Sequence, residues 1–509
     1  MLVNIKSSLL RRFVLSACTL LLIVGVSSCN KKTETEESIY MPASSVAVSG
    51  FSLKSKTGSK VKLDSIFFSI DLNQGVIFNA DSLPVGTDVT KLVPVITYTS
   101  SASAVTLIQS GGKTTGEIDY KSNPNDSVDF SGKVVLKITA EDKTTTRSYN
   151  IKVNVHKVEP DSLVWDRLAV TPMPSRLGSP KNQKTVKYND TTYSLIEESD
   201  GSYTMAVATD LLAGEWDKRP LTFDFEPNVR TLNSSSDKLY ILDAVGVLHT
   251  SSDGMTWENT GNTWVNIIGC YDDKMLGIRR EGGKLLHTMW PADSAHPEME
   301  ISKDFPIDGY SDFVKYSNRW TTLPIGFMCG GRCEDGSVTD KTWGYDGDNW
   351  AVLSEGMTPK LEGATIVPYF VYRKTSSALV QKDFSVWMLI GGMVDEGYYN
   401  FQIYLSYDNG VNWYAADDQM DFPDYFPGLM NLDGIDVEWP KQASLKGNWS
   451  DVTRANLPGL ARIKYSVDDY EVYWDCPYIY LFGGIEESGS LNDEIWRGVL
   501  NRLTFVPQF

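Results

Sequence analysis

Residues 388–413, MLIGGMVDEGYYNFQIYLSYDNGVNW, decide how the rest of the chain is read. A hydrophobic run ends in Gly391-Gly392, a polar connection follows, and Tyr404 leads into Ser406-x-Asp408-x-Gly410-x-x-Trp413. Each residue type suits a tightly packed sheet. The Asp408 carboxylate can accept hydrogen bonds from N–H groups of its own turn, and Gly410 permits the positive φ such a turn needs. Trp413 brings a large apolar surface at low entropic cost, fit to fill a wedge between sheets. Paired glycines let a strand end approach a neighbour closely.

The first half of the stretch resembles a Kelch blade and the second an Asp-box turn of the sialidase-type propellers. Both mark one unit, a four-stranded propeller blade. Variants recur outward along the chain. Asp210, Gly214 and Trp216 form a lengthened version, while Asp253, Gly254 and Trp257 form a shorter one. Asp346, Gly347 and Trp350 are short again and follow the glycine pair Gly330-Gly331. Phe482-Gly483-Gly484 leads to Trp496 and Phe505. Lys284–Trp290 followed by Met299–Ile301 reads as a degenerate unit without its turn. The expectation is an all-β chain whose residues 162–509 form a six-bladed Kelch-like β-propeller. Ring closure then requires the segment near Leu163–Val170 to pair with the C-terminal blade. These motif residues read as structural, and no catalytic role is assigned to their aspartates. Residues 415–462, rich in Asp, Pro and Trp, read as an insertion. Trp439, Trp449 and the neighbouring Trp474 are its candidate ligand-stacking residues.

The N-terminus reads as an address. Lys6, Arg11 and Arg12 precede an apolar run over Phe13–Val26, too short for a comfortable membrane span. Val26-Ser27-Ser28-Cys29 resembles a bacterial lipobox, so residues 1–28 are expected to be a lipoprotein signal peptide and Cys29 the lipidated residue. Lipid there tethers a body without making it span the membrane. Residues 29–44, with Glu34, Glu36 and Glu37, read as a flexible tether. The formal net charge of −18 argues against nucleic acid and anionic lipid surfaces as partners. Cys329-Gly-Gly-Arg-Cys333 invites a zinc reading. No second Cys/His cluster lies near, so neither a metal nor a cofactor is assigned. A disulfide among Cys270, Cys329, Cys333 and Cys476 is left open.

Residues 45–158 read as a β-sandwich of short alternating strands: Val46–Leu53, Lys60–Ile70, Gly75–Phe78, Leu92–Thr99, Lys133–Ala140 and Thr146–Val155. The last two form a half-buried hairpin, with Tyr149, Ile151, Val153 and Val155 alternating on the return. The module resembles immunoglobulin-like or cadherin-like domains of bacterial surface proteins, without the Cys-Trp-Cys core.

Signal, tether, sandwich and propeller together resemble uncharacterised surface lipoproteins of Bacteroides-type gut anaerobes, a resemblance that extends to Phe68–Gly86. It implies an outer-membrane, surface-exposed location and no particular activity. It also implies O-glycosylation at Asp-Ser/Thr triplets, here at Ser65, Ser82, Ser127, Ser162, Thr191 and Ser294. The function expected is non-catalytic binding of a glycan or an envelope protein through the propeller. The alternatives are a sialidase-like glycoside hydrolase and a structural subunit of an envelope complex. A sialidase needs an arginine cluster, and no Arg-Ile-Pro occurs; Arg279-Arg280 lacks that context. Galactose-oxidase chemistry needs two histidines with two tyrosines. The chain holds only His156, His249, His287 and His296, the first in the other domain.

Overall fold

The computed structural model describes residues 42–55, 62–79, 82–155, 162–165, 171–317, 323–375, 380–395, 397–438, 462–467 and 470–501. For 372–375, 380–384, 462–467, 470–475 and 501 it describes the backbone alone. Among these residues helix is confined to short 3-10 turns, and the fold is all-β. The chain separates into two compact units, the second continuous from Lys152 onward.

Ahead of Lys152, Val48–Leu53 pairs with Pro94–Tyr98. A second sheet has the spatial order Phe68–Asp71, Val76–Asn79, Thr146–Lys152, Lys133–Thr139, Ala104–Ser110, Gly116–Asp119. The expected hairpin is present in register, Leu136 opposite Tyr149 and also opposite Leu107 on its other side, all three fully buried. Two readings need correction. Lys60–Ile70 is not one strand: Leu63–Ser65 is a 3-10 turn, and the strand begins at Phe68. Ala104–Ser110, paired with Gly116–Asp119, was missed although Val105 and Leu107 alternate with polar neighbours and are buried.

From Asn182 onward, antiparallel sheets follow one another, each built from strands adjacent in sequence. The first comprises Asn182–Tyr188, Thr191–Glu197, Tyr203–Ala208 and Asp217–Leu221. The second comprises Pro227–Ser234, Leu239–Asp243, Val247–Ser251 and Glu258–Thr263. The third comprises Asn266–Tyr271, Lys274–Glu281, Lys284–Trp290 and Met299–Glu300. The fourth comprises Val314–Tyr316, Ile325–Cys329, Thr342–Tyr345 and Trp350–Ser354. The fifth comprises Leu361–Thr375, Val380–Val394, Tyr404–Ser406 and Tyr414–Ala415. The last is different. Gly434–Glu438, Tyr478–Phe482 and Glu494–Asn501 are completed by Ser162–Trp165 and Thr171–Pro172 from the start of the unit. Leu163 lies opposite Leu500 and Trp165 opposite Gly498, where a Cβ would sit 2.7 Å from the Trp165 ring. Trp165 therefore takes the outer aromatic position here; Phe505 lies outside the described residues.

The third unit is not degenerate. Its third and fourth strands are joined by a turn in which Asp293 accepts from the Ala295 N–H at 2.9 Å. Nor is 415–462 a single insertion, because it contains the first strand of the last sheet. Ahead of that strand, Phe422 and Phe426 stack on each other, and Phe422 stacks on Trp165 at 5.2 Å. Trp474 lies not in a loop but on strand Tyr470–Asp475. That strand pairs with Arg462–Val467 and with the far half of Leu361–Thr375.

First strands lie side by side: 182–188 against 227–234 and 434–438, 227–234 against 266–271, and 361–375 against 434–438. They surround a common axis. Alternating strand direction puts second-to-third and fourth-to-first connections at one end of each sheet, and the remaining connections at the other. The turns at Asp253, Asp346 and Asp408 join third to fourth strands, so they occupy the end away from the glycine pairs.

Candidate functional site

The turns behave as their chemistry demands. Asp408 accepts from the Asn412 N–H at 2.8 Å, and the Gly410 N–H donates to the Ser406 hydroxyl at 2.7 Å. Asp253 accepts from Met255 and Thr256 N–H at 2.7 and 2.8 Å, and Asp346 from Asp348 and Asn349 at 2.9 and 2.7 Å. Burial pushes the Asp408 carboxyl up, but its hydrogen bonds from Asn412 and Ser406 hold it below the usual range. The tryptophans occupy the wedges between sheets. Trp413 donates to the Thr342 hydroxyl of the preceding sheet at 3.0 Å, and Trp350 to His287 Nδ1 at 3.0 Å. Trp257 packs with the first two sheets, and Trp496 with the last two. At the opposite end, the glycine pairs bring sheets into contact. The Gly331 N–H reaches Leu361 O at 2.7 Å, and a Cβ on Gly391 would sit 2.6 Å from Leu429 O. Gly392 and Gly484 also have positive φ, 85° and 112°.

At that end the first strands enclose a cavity of about 560 Å³. Its wall includes Lys184, Arg230, Asn266, Asp308, Asp312, Thr365 and Asn431, drawn from successive sheets and the connections leading into them. Arg230 anchors one side. Its guanidinium donates to Asp433 Oδ1 at 3.0 Å and to Asn431 O at 2.5 Å. Asp433 is fully buried, and its other oxygen accepts from Gln183 Nε2 at 2.7 Å and the Gly484 N–H at 2.9 Å. Burial pushes the Asp433 carboxyl up to about 6, against the pull of Arg230. Asp436, on the strand that starts just after Asp433, binds Lys187 at 2.8 Å. These two carboxylates fasten the closing sheet to the first and second. Elsewhere on the wall, Lys184 Nζ stands 4.0 Å from Asp312 Oδ1, and the Thr365 hydroxyl donates to Asp312. Asp308 Oδ1 accepts from the Gly309 N–H at 2.8 Å, and the Tyr310 hydroxyl donates to Ile267 O.

The groups considered for catalysis do not converge. Arg279 is paired with Glu281 and Glu298, and Arg280 with Glu334. His249 faces Asp243 and His296 faces Asp348, while His287 is buried among Tyr345 and Trp350. No disulfide joins Cys270, Cys329, Cys333 or Cys476 to another of the four, so the bond left open is not formed among them. Among the described residues no group of His, Cys, Asp and Glu is arranged to hold a metal. Of the triplet residues, Ser65, Ser127 and Ser294 are exposed and Thr191 is half-buried. Ser82 and Ser162 are buried, Ser162 within the closing sheet, which removes both as accessible acceptors in the fold. Cys29, His156, Trp439 and Trp449 lie outside the described residues.

His287 makes the wedge sensitive to acid. Burial lowers its pKa from 6.5 to about 4. A depressed folded value means its contribution is complete above about pH 6.5 and is lost as the pH falls toward 4. Between pH 7.5 and 5 this group alone should withdraw about 2 kcal/mol. Asp433 titrates in the opposite sense, so the test is a comparison. In urea unfolding, His287→Gln, which still offers Trp350 an acceptor, should lose less stability over that interval than the parent. An equal loss in both would contradict the assignment.

The DUF6242 β-propeller domain matches residues 159–508, and the N-terminal domain of the same domain of unknown function matches residues 30–153. No curated protein matches the chain. Among solved structures, a DUF4623 family protein from Bacteroides eggerthii shares 11% identity. That match covers 89% of this chain and 98% of the other, at a TM-score of 0.35. The BP39L lectin from Burkholderia pseudomallei shares 10% over 70% of this chain and 94% of its own, at 0.28. AofleA from Arthrobotrys oligospora shares 11% over 67% and 94%, at 0.31. Likenesses this weak carry no argument about function. With the two family models spanning both units, the chain belongs to the DUF6242 family, and its second unit is a β-propeller.

Proposed function

We propose that this protein is a non-catalytic binding module that holds a glycan or protein partner in the axial cavity of a six-bladed, Kelch-like propeller. The N-terminal unit is an immunoglobulin- or cadherin-like sandwich in this reading. One observation carries the reading. The cavity is the place where polar and charged side chains from successive first strands converge, and it lies at the end away from the Asp-box turns. Among the described residues, the candidate arginines and histidines for hydrolytic or copper chemistry are dispersed and engaged elsewhere. The test is a glycan array with a pull-down from the native envelope, using the parent chain and Asn228→Trp. Asn228 is an exposed wall residue, and tryptophan there crowds the cavity. Retention by the parent and loss in the variant supports the reading. Equal retention, or release of sugar products abolished by one carboxylate substitution, overturns it.

The location belongs to the same proposal: lipid on Cys29 anchors the protein to the outer membrane, facing the exterior. Cys29→Ala should move it from the membrane to the soluble fraction. A variant that stays membrane-bound to the parental extent contradicts the anchor.

A further inference from the structure

Two cationic side chains on the wall of the axial cavity keep unused donors. Lys184 is largely buried, yet its ammonium makes no hydrogen bond among the described residues; the Asp312 oxygen at 4.0 Å is too distant. Arg230 uses one N–H on Asp433 and one on Asn431 O, and its remaining N–H groups have no acceptor among the described residues. The carboxylates of the wall are partly satisfied from within the protein, Asp312 by Thr365 and Asp308 by the Gly309 N–H. The strongest unused donors on the wall therefore carry positive charge. A group that accepts several hydrogen bonds and bears negative charge would satisfy them.

Charge limits that group to one. Asp308 and Asp312 share the cavity with the two cations, and Asp433 stands behind Arg230. A dianion such as phosphate would add repulsion from these carboxylates, whereas a single carboxylate would not overfill the positive side. The free lone pairs of Asp308 and Asp312 and the amide of Asn228 suit hydroxyl groups around it. Val265, exposed on the wall, supplies an apolar surface of the sort a pyranose C–H face covers. We propose that the cavity takes a hexuronate unit of an acidic glycan, its carboxylate received by Lys184 and Arg230. This rests on the cavity being the binding site.

The experiment is isothermal titration of the full chain with glucuronate and galacturonate oligosaccharides. Parallel arms use the methyl esters of the same sugars, inorganic phosphate, and a peptide with a free C-terminal carboxylate. Saturable binding of a uronate is expected, weaker by about tenfold or more for its ester, which loses a charge-assisted acceptor. Lys184→Met should weaken it comparably while leaving the thermal midpoint unchanged, since Lys184 has no hydrogen bond to lose. Arg230→Lys, which keeps a cation beside Asp433, is the second variant and should also bind more weakly. Absence of uronate binding, equal binding of the ester, tighter binding of phosphate or peptide, or parental affinity in Lys184→Met each overturns the inference. If a neutral glycan or a protein is retained and Asn228→Trp abolishes that retention, the cavity reading survives and only the uronate falls. Retention that persists in Asn228→Trp removes both.

Discussion

Gly483→Ala is expected to destabilise the propeller by about 3 kcal/mol or more, through strain and overpacking together. Gly483 has φ +50°, where an L side chain is strained by about 1 kcal/mol or more. Its added Cβ would also fall onto Asp433 Oδ2 and Gln183 Nε2. Neither atom can withdraw easily, because both belong to the buried hydrogen-bond set that joins the closing sheet to the first. Moving them leaves a buried carboxylate short of partners, a cost beyond ordinary crowding. Gly489→Ala is the matched control. Its φ is +78° and nothing lies within 4 Å of the new Cβ, so it should cost about 1 kcal/mol from backbone strain alone. Urea unfolding followed by tryptophan fluorescence measures both. Equal effects for the two substitutions would show that the Asp433 network does not hold the ring.

Arg230→Ala should cost about 3–5 kcal/mol at pH 7.5, since it strands the fully buried Asp433 without its cation. The deficit should depend on pH. In the parent, the Asp433 carboxyl lies near 6 in the fold against 3.8 ordinarily. A raised folded value means its contribution is complete below about pH 3.8 and declines as the pH rises through 6. Without Arg230 the folded value moves higher still, so the decline continues through neutrality in the variant while the parent levels off. At pH 5 Asp433 is mostly neutral in both folds, and the gap should narrow to what the lost packing and hydrogen bonds account for. Arg230→Lys should recover part of the deficit at pH 7.5. A gap of the same size at pH 5 and 7.5, or one under 1 kcal/mol, would mean that Asp433 does not depend on Arg230.

The two experiments probe features of unequal visibility in the sequence. The aspartate turns could be read because their chemistry is local. Asp253, Asp346 and Asp408 bond to N–H groups two to four residues away, so type and spacing together specify the turn. The glycine pairs were legible for a similar reason, as positive φ at consecutive positions leaves few alternatives to glycine. The third sheet was misread because its Asp293 turn begins at Trp290-Pro291 and has no tryptophan after the aspartate. Ala104–Ser110 carried an alternation of Val105 and Leu107 that could have revealed it. Trp474 was assigned to a loop because the residues before it look like an insertion, whereas its strand is specified by pairing with Leu361–Thr375, far back in the chain.

The candidate site was not legible at all. Asp433 sits in the unremarkable run Asn431-Leu432-Asp433-Gly434, and its partners Gln183 and Arg230 lie 250 and 203 residues away. Lys184 meets Asp312 only because first strands from different sheets surround one axis. By itself the sequence determined that the chain is all-β, that its second part repeats a sheet unit, and which residues turn, pair and fill the wedges. Those features depend on dihedral preferences and hydrogen bonds within a few residues of each other. The burial of Asp433 and the meeting of Lys184 and Arg230 on one cavity wall were decided by tertiary structure. Each depends on desolvation and on contacts between strands distant in sequence, which only the assembled ring brings together.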